Sequence, residues 1–214
     1  MVVASSAEVY QTPAVVPTDE TVALMLPDSL NPRYSYGGSK IVSELIAFNY
    51  ARDHYRKMQV FRPHNVYGPD MGFKHVIPQF LLRAFDLRDR VAESNVFEIQ
   101  GDGSETRAFA YVDDVVSGIM TMWEKGGHRE IYHIGNDQEI SIAELAAFTA
   151  ETVGLRMEIK GTDAPAGATP RRCPDISKMR ALGYEPRVDL RTGLARTADW
   201  YEAHRGQNME NLLL

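Results

Sequence analysis

Tyr36 and Lys40 stand four residues apart in Tyr36-Gly-Gly-Ser-Lys40, a spacing that on a helix puts the phenol and the ammonium on one face. A phenol titrating near pH ~10 is a poor base at neutrality, and a neighbouring cation favours its phenolate. Such a phenol can exchange a proton with a substrate hydroxyl. Tyr-x-x-x-Lys is common, so taken alone the pair reads more often as an exposed Tyr and Lys sharing a face by chance. Ser5-Ser6 at a strand end supplies the further hydroxyl that such chemistry needs. The six histidines (54, 64, 75, 128, 133 and 204) show no zinc-ligand spacing, and surface or packing roles are expected for all but His64 and His75. Asp113-Asp114 has the look of a metal pair but is better explained as a helix start, where acids suit the macrodipole. No metal is therefore expected. Cys173 beside Arg172 has the setting for a lowered pKa and an acid's role, although an inert thiol is the more ordinary state.

The elements that must hold these side chains follow from periodicity and caps. Met1 to Ser6 reads as the end of a buried strand. Residues 11 to 33, with Pro13, Pro17, Pro27 and Pro32, read as a long surface excursion. A helix is expected from Asn31-Pro32 to about Lys57, with Asn as cap and Pro in the first turn. Its two apolar stripes, Ile41, Leu45, Phe48 and Val42, Ile46, Tyr50, call for burial on two sides, by its own sheet and by a partner subunit. Met58 to Arg62 reads as a strand, and Ile77 to Leu87 as a helix with Phe80, Leu81 and Ala84 inward. Asn95 to Gln100 and Arg107 to Val112 alternate like strands about an Asp102-Gly103 turn. Asp113 is expected to cap a helix to about Glu124, which Gly126-Gly127 ends, and Ile131 to Ile134 is a short strand. Ser141-Ile-Ala-Glu144 is a capping box opening a helix that stops before Gly154. Leu155 to Ile159 reads as a strand and Leu190 to His204 as a closing helix. Strands alternating with helices define an α/β protein.

Composition sets the outer limits. The 214 residues carry 23 Lys+Arg against 29 Asp+Glu, a formal charge of −6, which argues against nucleic-acid binding or electrostatic membrane attachment. Apolar residues at 44% and charged residues at 24% are enough for a full core. The single cysteine allows no internal disulfide, and no apolar run is long enough to span a bilayer, so a reducing cytoplasm is the expected compartment.

Several stretches occur in an order that resembles the extended short-chain dehydrogenase/reductase family, the NAD-dependent nucleotide-sugar epimerases and dehydratases. They are Ser5-Ser-Ala-Glu-Val-Tyr10, Tyr36-Gly-Gly-Ser-Lys40, Arg62-Pro-His-Asn-Val-Tyr-Gly-Pro69, Gly101-Asp-Gly-Ser-Glu-Thr-Arg107 with Tyr111-Val-Asp-Asp114, Tyr132-His-Ile-Gly135, and Arg171-Arg-Cys-Pro-Asp175 followed by Leu182-Gly-Tyr184. The resemblance implies that Ser6 orients the sugar, Tyr36 is the acid/base, and Lys40 holds the nicotinamide ribose and favours the phenolate. It places Pro63 and His64 along the nicotinamide and Asn65 near the diphosphate. Arg107 and Arg172 match two arginines that embrace the diphosphate, a task suited to a planar, permanently charged fork. Asp175 falls near the nucleotide ribose. His75 and Val76, and Ile99 and Gln100, fall where the sugar-proximal phosphate and the base are cradled.

Two departures shape the expectation. The family's 4,6-dehydratases carry an acid after the hydroxyl position, here Ala7, which disfavours dehydration, although Glu8, which the resemblance places among the substrate-binding residues, matches their next acid and keeps that option open. The usual Asp of the Thr-Arg-Asp-Phe pattern is Ala108. No Gly-x-x-Gly-x-x-Gly follows a strand anywhere, so the adenosine-binding half is not expected in this chain, and Met1 is expected to be an internal methionine of a longer enzyme. The expected fold is α/β, the C-terminal part of a Rossmann-type doubly wound parallel sheet plus a smaller mixed α/β substrate domain. Residues 1–65 would be the remainder of the NAD-binding domain and 66–214 mainly the nucleotide-sugar domain, with about 107–135 returning to the Rossmann sheet. The expected partners are NAD, a nucleotide-diphosphate sugar and a second copy through the long helix after Asn31. The expected reaction is C4 epimerisation, with a 4,6-dehydratase, a UDP-glucuronate decarboxylase-like enzyme or a non-catalytic sugar-nucleotide module as alternatives.

Overall fold

The computed structural model describes residues 1–90, 96–163 and 169–205. In chain order its main elements are β1 (Val2–Ala4), α1 (Ser35–His54), β2 (Gln59–Pro63), α2 (Val76–Asp89), β3 (Val96–Gln100), α3 (Val112–Lys125), β4 (Glu130–Ile134), α4 (Ile142–Thr152), β5 (Glu158–Thr162) and α5 (Leu190–Ala203). The chain divides into two compact units, the first made of Met1–Val66, Ala108–Glu139 and Arg171–Arg187, the second of Tyr67–Arg107, Ile140–Pro170 and Val188–Leu214.

In the first unit β1, β2 and β4 form a parallel sheet in that order, with Val3 opposite Val60 and Val60 opposite Ile131. Successive strand residues point to opposite faces. Val3, Val60 and Ile131 pack with Ala47 and Ala51 of α1, whereas Val2, Phe61 and Tyr132 pack with Val115 and Met122 of α3 and with Met179 of the one-turn helix Ser177–Arg180. The sheet is thus covered on both faces, as a parallel sheet requires. The segment 171–187, which the sequence reading left with the substrate domain, belongs to this unit.

In the second unit β3 pairs with β5 in parallel, Phe97 opposite Ile159. Helix α2 buries Ile77, Phe80, Leu81, Ala84 and Phe85, the face expected from its period. Ser141 and Glu144 form the reciprocal capping box that starts α4, and Gly154 with a φ of 83° follows its end. Asp189 caps α5 by accepting a bond from Thr192 N.

Several expectations are corrected. β1 is an edge strand whose Val2 and Val3 are half-buried and whose Ala4 is exposed, so it is not fully buried. α1 begins after a short 3₁₀ turn capped by Asn31 and ends at His54, three residues before the expected Lys57. The two apolar stripes of α1 only partly face the sheet: Phe48 packs with Val3, Val60 and Ile131 beside the buried Ala47 and Ala51, and Gly37 and Glu44 are buried too, while Val42, Leu45, Ile46 and Tyr50 are exposed. Small residues let the helix lie close to the strands. Tyr111, not Asp113, occupies the N-cap of α3, and Asp113 lies inside its first turn. The alternating run from Arg107 to Val112 is split into Thr106–Ala108 and Ala110–Tyr111. The strand expected at Leu155–Ile159 lies three residues on, at Glu158–Thr162, where it matches the length of β3. Asn95, the expected start of β3, lies outside the described residues.

Candidate active site

The carboxyl ends of β1 and β2 carry the candidate catalytic groups, which is where open parallel sheets bind ligands. Ser5 and Ser6 follow β1 directly, and His64 and Asn65 follow β2. Lys40 of α1 donates from Nζ to the carbonyl of Ala4 at 3.0 Å, tying the helix to the last residue of β1. The same Nζ lies 5.6 Å from the centre of the Tyr36 ring, so the two side chains share one face as their spacing requires. Tyr36 is 53% exposed. Its neighbour Gly37 sets the approach: a Cβ there would meet Gln11 Nε2 at 2.5 Å and Glu8 O at 2.7 Å. Only glycine lets α1 rest on the 3₁₀ turn Ala7–Tyr10, which directly follows Ser5 and Ser6.

Ser6 and Ser5 use their hydroxyls differently. Ser6 Oγ accepts a bond from Glu8 N at 3.2 Å, which caps the 3₁₀ turn and leaves its own proton to donate. Ser5 Oγ is buried with no hydrogen-bond partner in the structure. The sequence reading favoured Ser6 alone, and the unpartnered neighbour was not foreseen because alternation along a three-residue strand does not say which hydroxyl the next turn consumes.

His64 is 4% exposed and its Nε2 also lacks a partner. Burial, reinforced by the neighbouring His133 ring and the Arg172 and Arg62 guanidiniums, holds its pKa well below the ordinary histidine value, so the ring is neutral. Gly135 makes room for it, since a Cβ there would come within 3.0 Å of His64 Cβ. Asn65 takes a left-handed φ of 39°, which Asn tolerates, and its amide donates to Ala108 O at 3.0 Å. That bond gives Asn65 a structural task beside the substrate role the resemblance implies.

A buried polar chain supports this end of the sheet. Glu44 of α1 grips Arg62 of β2 through two bonds, Nε to Oε1 at 2.9 Å and Nη2 to Oε2 at 2.6 Å. Arg62 Nη1 also donates to Tyr10 Oη, which lies 2.7 Å from His133 Nε2. Burial pushes the Tyr10 phenol up to about 12 and the His133 imidazole, also facing Arg62, down to about 4. Sequence reasoning took Arg62 and His133 only as motif members. No signal in the sequence pairs Glu44 with a residue 18 positions away on a strand.

Arg172 is bound to Glu8 through both guanidinium Nη atoms, and its Nη2 also donates to Gln11 O at 3.4 Å. A cavity of about 10 Å³, room for one water, is lined by Ala7, Gln11, Thr18, His64, Arg172 and Cys173 among others. Cys173 is 3% exposed, and burial with the nearby Glu139 and Asp137 carboxylates pushes its thiol up to about 11. The lowered pKa considered for it is therefore corrected: a shielded thiol among acids stays protonated and inert. Asp175 accepts from Ser177 N at 2.8 Å, an arrangement that starts the following helical turn and lowers its pKa.

The second unit gathers other predicted residues around a cleft of about 340 Å³. Val76, Gln100 and Arg107 line it together with Lys74, Phe80, Arg83 and Glu105. Arg107 is steadied by backbone carbonyls, Nη1 on Thr106 O at 2.7 Å and Nη2 on Thr169 O at 2.8 Å. His75 is the exposed N-cap residue of α2. Ile99 is 2% exposed and does not line the cleft. Strand alternation sends Gln100 out and Ile99 in, which corrects the expectation for Ile99.

An open parallel sheet covered on both faces, with hydroxyl, phenol and ammonium groups at the carboxyl end of a strand, places the chain among doubly wound α/β proteins of the Rossmann type. A family model described as the NAD dependent epimerase/dehydratase family matches residues 1–135. The chain belongs to that family. It is 34% identical over 196 residues to UDP-glucuronic acid decarboxylase 6 of Arabidopsis thaliana, covering 89% of this chain and 54% of the relative. Among solved structures, DesIV, a dTDP-glucose 4,6-dehydratase from Streptomyces venezuelae with NAD and TYD bound, is similar with a TM-score of 0.78 and 30% identity, over 96% of this chain and 60% of DesIV. An epimerase from Methanothermobacter thermautotrophicus is similar with a TM-score of 0.81 and 27% identity, over 96% of this chain and 60% of that one. The chain spans about half the length of the curated relatives it matches.

Proposed function

We propose that this chain carries the acid/base pair and the nucleotide-sugar cleft of an NAD-dependent enzyme that epimerises a nucleotide-diphosphate sugar at C4 through a keto intermediate. The observation that carries the reading is the clamp of Lys40 on Ala4 O at 3.0 Å with Tyr36 above it, at the strand end where Ser5 and Ser6 present their hydroxyls. The residues fit a nicotinamide: Ser5 Oγ and His64 Nε2 are buried polar atoms without partners at the ends of adjacent strands, Pro63 directly precedes His64, and Lys40 Nζ donates to the carbonyl of Ala4, the residue before Ser5. NAD, when bound, supplies the hydride acceptor and donor. The protein's own part is proton handling and positioning. Tyr36 Oη takes the proton of the sugar hydroxyl and later returns it, Lys40 steadies the phenolate, and Ser6 donates to the reacting oxygen. The Arg107 fork, with Lys74 and Arg83 in the same cleft, suits the diphosphate, and Gln100 and Phe80 suit the base.

Ala7 supports epimerisation, because the turn after Ser6 offers no acid at that position to expel a hydroxyl. A decarboxylase is the second reading, favoured by the relatives named UDP-glucuronic acid decarboxylase. Tyr36→Phe in the longest natural form of the protein should abolish nearly all turnover of UDP-, dTDP-, GDP- and CDP-sugars while leaving nucleotide-sugar binding intact. Retained turnover sinks the assignment. The product, an epimer, a 4-keto-6-deoxy sugar or carbon dioxide, separates the readings. The exposed face of α1 with Val42, Leu45, Ile46 and Tyr50 supports a homodimer through that helix. Light scattering that gives the same monomeric mass for the protein and for Ile46→Glu would count against it.

A further inference from the structure

The Glu8 to Arg172 pair lies between two residues that the resemblance assigns to the substrate. Its two ends are held differently. The backbone of Glu8 is fixed, since Glu8 O accepts from Gln11 Nε2 at 2.7 Å and sits under Gly37 of α1, whereas its side chain is 39% exposed and free to swing. Arg172 is 18% exposed, and its second contact, to Gln11 O, leaves the guanidinium in place if Glu8 departs. A guanidinium fork presents paired N–H donors that accept a carboxylate or a phosphate in the same geometry. A carboxylate brings one negative charge to that fork and a diphosphate brings more, so the diphosphate wins the exchange where both can reach.

We propose that Glu8 is an internal stand-in for the substrate's diphosphate: it pairs with the Arg172 fork and is displaced when a diphosphate binds. The inference rests on the reading that Arg172 holds the diphosphate. Glu8 then acts as a positioning residue, keeping Arg172 extended toward its ligand and making weak anions compete against a built-in carboxylate. The cost of parting the pair falls equally on every anion that takes the fork, so only ligands whose phosphates bind Arg172 more strongly than the carboxylate does are held.

Titration calorimetry of the 214-residue chain with UDP and with UMP tests this on the wild type, Glu8→Gln and Arg172→Gln, with circular dichroism melts to verify folding. Exchange predicts that Glu8→Gln binds UDP about fivefold tighter, the factor for an ion pair of about 1 kcal/mol no longer being broken, and UMP tighter by a similar factor, while Arg172→Gln loses most of its UDP affinity. A residue that merely braces Arg172 cannot tighten binding when removed. Unchanged or weaker UDP binding by Glu8→Gln, with Arg172→Gln still defective, overturns the exchange and leaves the arginine's role standing. Normal binding by Arg172→Gln, or none by any of the three proteins, overturns the diphosphate reading itself. As a second readout, the Glu8 side-chain carboxyl carbon in NMR should shift when inorganic pyrophosphate is added to the wild type, and a stationary signal at saturation overturns the proposal.

Discussion

The first unit holds two Arg–Glu pairs that look alike on paper. Arg62 and Glu44 are 2% and 3% exposed, and Arg172 and Glu8 are 18% and 39% exposed. The inner pair is enclosed, and Arg62 Nη1 donates to Tyr10 Oη. Its desolvation is offset by the bidentate geometry and by the bond from Arg62 to Tyr10. The outer pair keeps water at hand, so parting it costs little. Burial alone therefore turns one chemistry into a structural lock joining α1 to β2 and the other into an exchangeable contact at the substrate side.

The largest expected effect breaks the lock. Glu44→Ala should cost about 3–5 kcal/mol of unfolding free energy, because it strands a buried guanidinium, and Arg62→Met added to it should recover a large part. Denaturant melts of the single and double variants decide this, and a double variant no better than the single would show that charge burial is not the cause.

Acid probes the same lock more gently. His133 has its pKa lowered to about 4 from 6.5 in the fold, so between those values the unfolded chain binds a proton that the folded chain does not. Stability is thus fully present above pH 6.5 and lost as the pH falls toward 4, by about 3 kcal/mol, with His64 acting in the same direction. Unfolding free energies measured at pH 7.5, 6, 5 and 4.5 should follow that slope, and a flat profile would mean the imidazoles are charged in the fold. At the outer pair the effect is smallest: Glu8→Gln should change stability by less than about 1 kcal/mol. A loss as large as that of Glu44→Ala would erase the distinction between the two pairs.

Much of this molecule could be read from its sequence. The inner face of α2, the Ser141–Glu144 box, the extent of α5 and the strands at residues 59–63 and 130–134 follow from short-range periods and caps, which depend on neighbours a few positions away. The Tyr36–Lys40 pairing is legible for the same reason. The α1 faces were only partly legible: Phe48 does pack on the sheet, but amphipathicity assumes that all the large apolar residues do, whereas this helix approaches closely through Gly37, Ala47 and Ala51 and spends a buried position on Glu44. A lowered Cys173 pKa was considered from its sequence neighbour Arg172, but Asp137, Glu139 and burial decide the thiol's charge.

What the sequence determined by itself was the set of chemical groups, their order and the local elements that carry them, since these follow from side-chain type and spacing along one chain. Which groups meet and how wet they are came from the fold: Glu44 with Arg62, Glu8 with Arg172 across 164 positions, and Ser5 Oγ and His64 Nε2 without hydrogen-bond partners at neighbouring strand ends. Contact and dielectric environment arise when distant segments fold together, and for an ionisable side chain those two quantities fix whether it braces the fold or exchanges partners with a ligand.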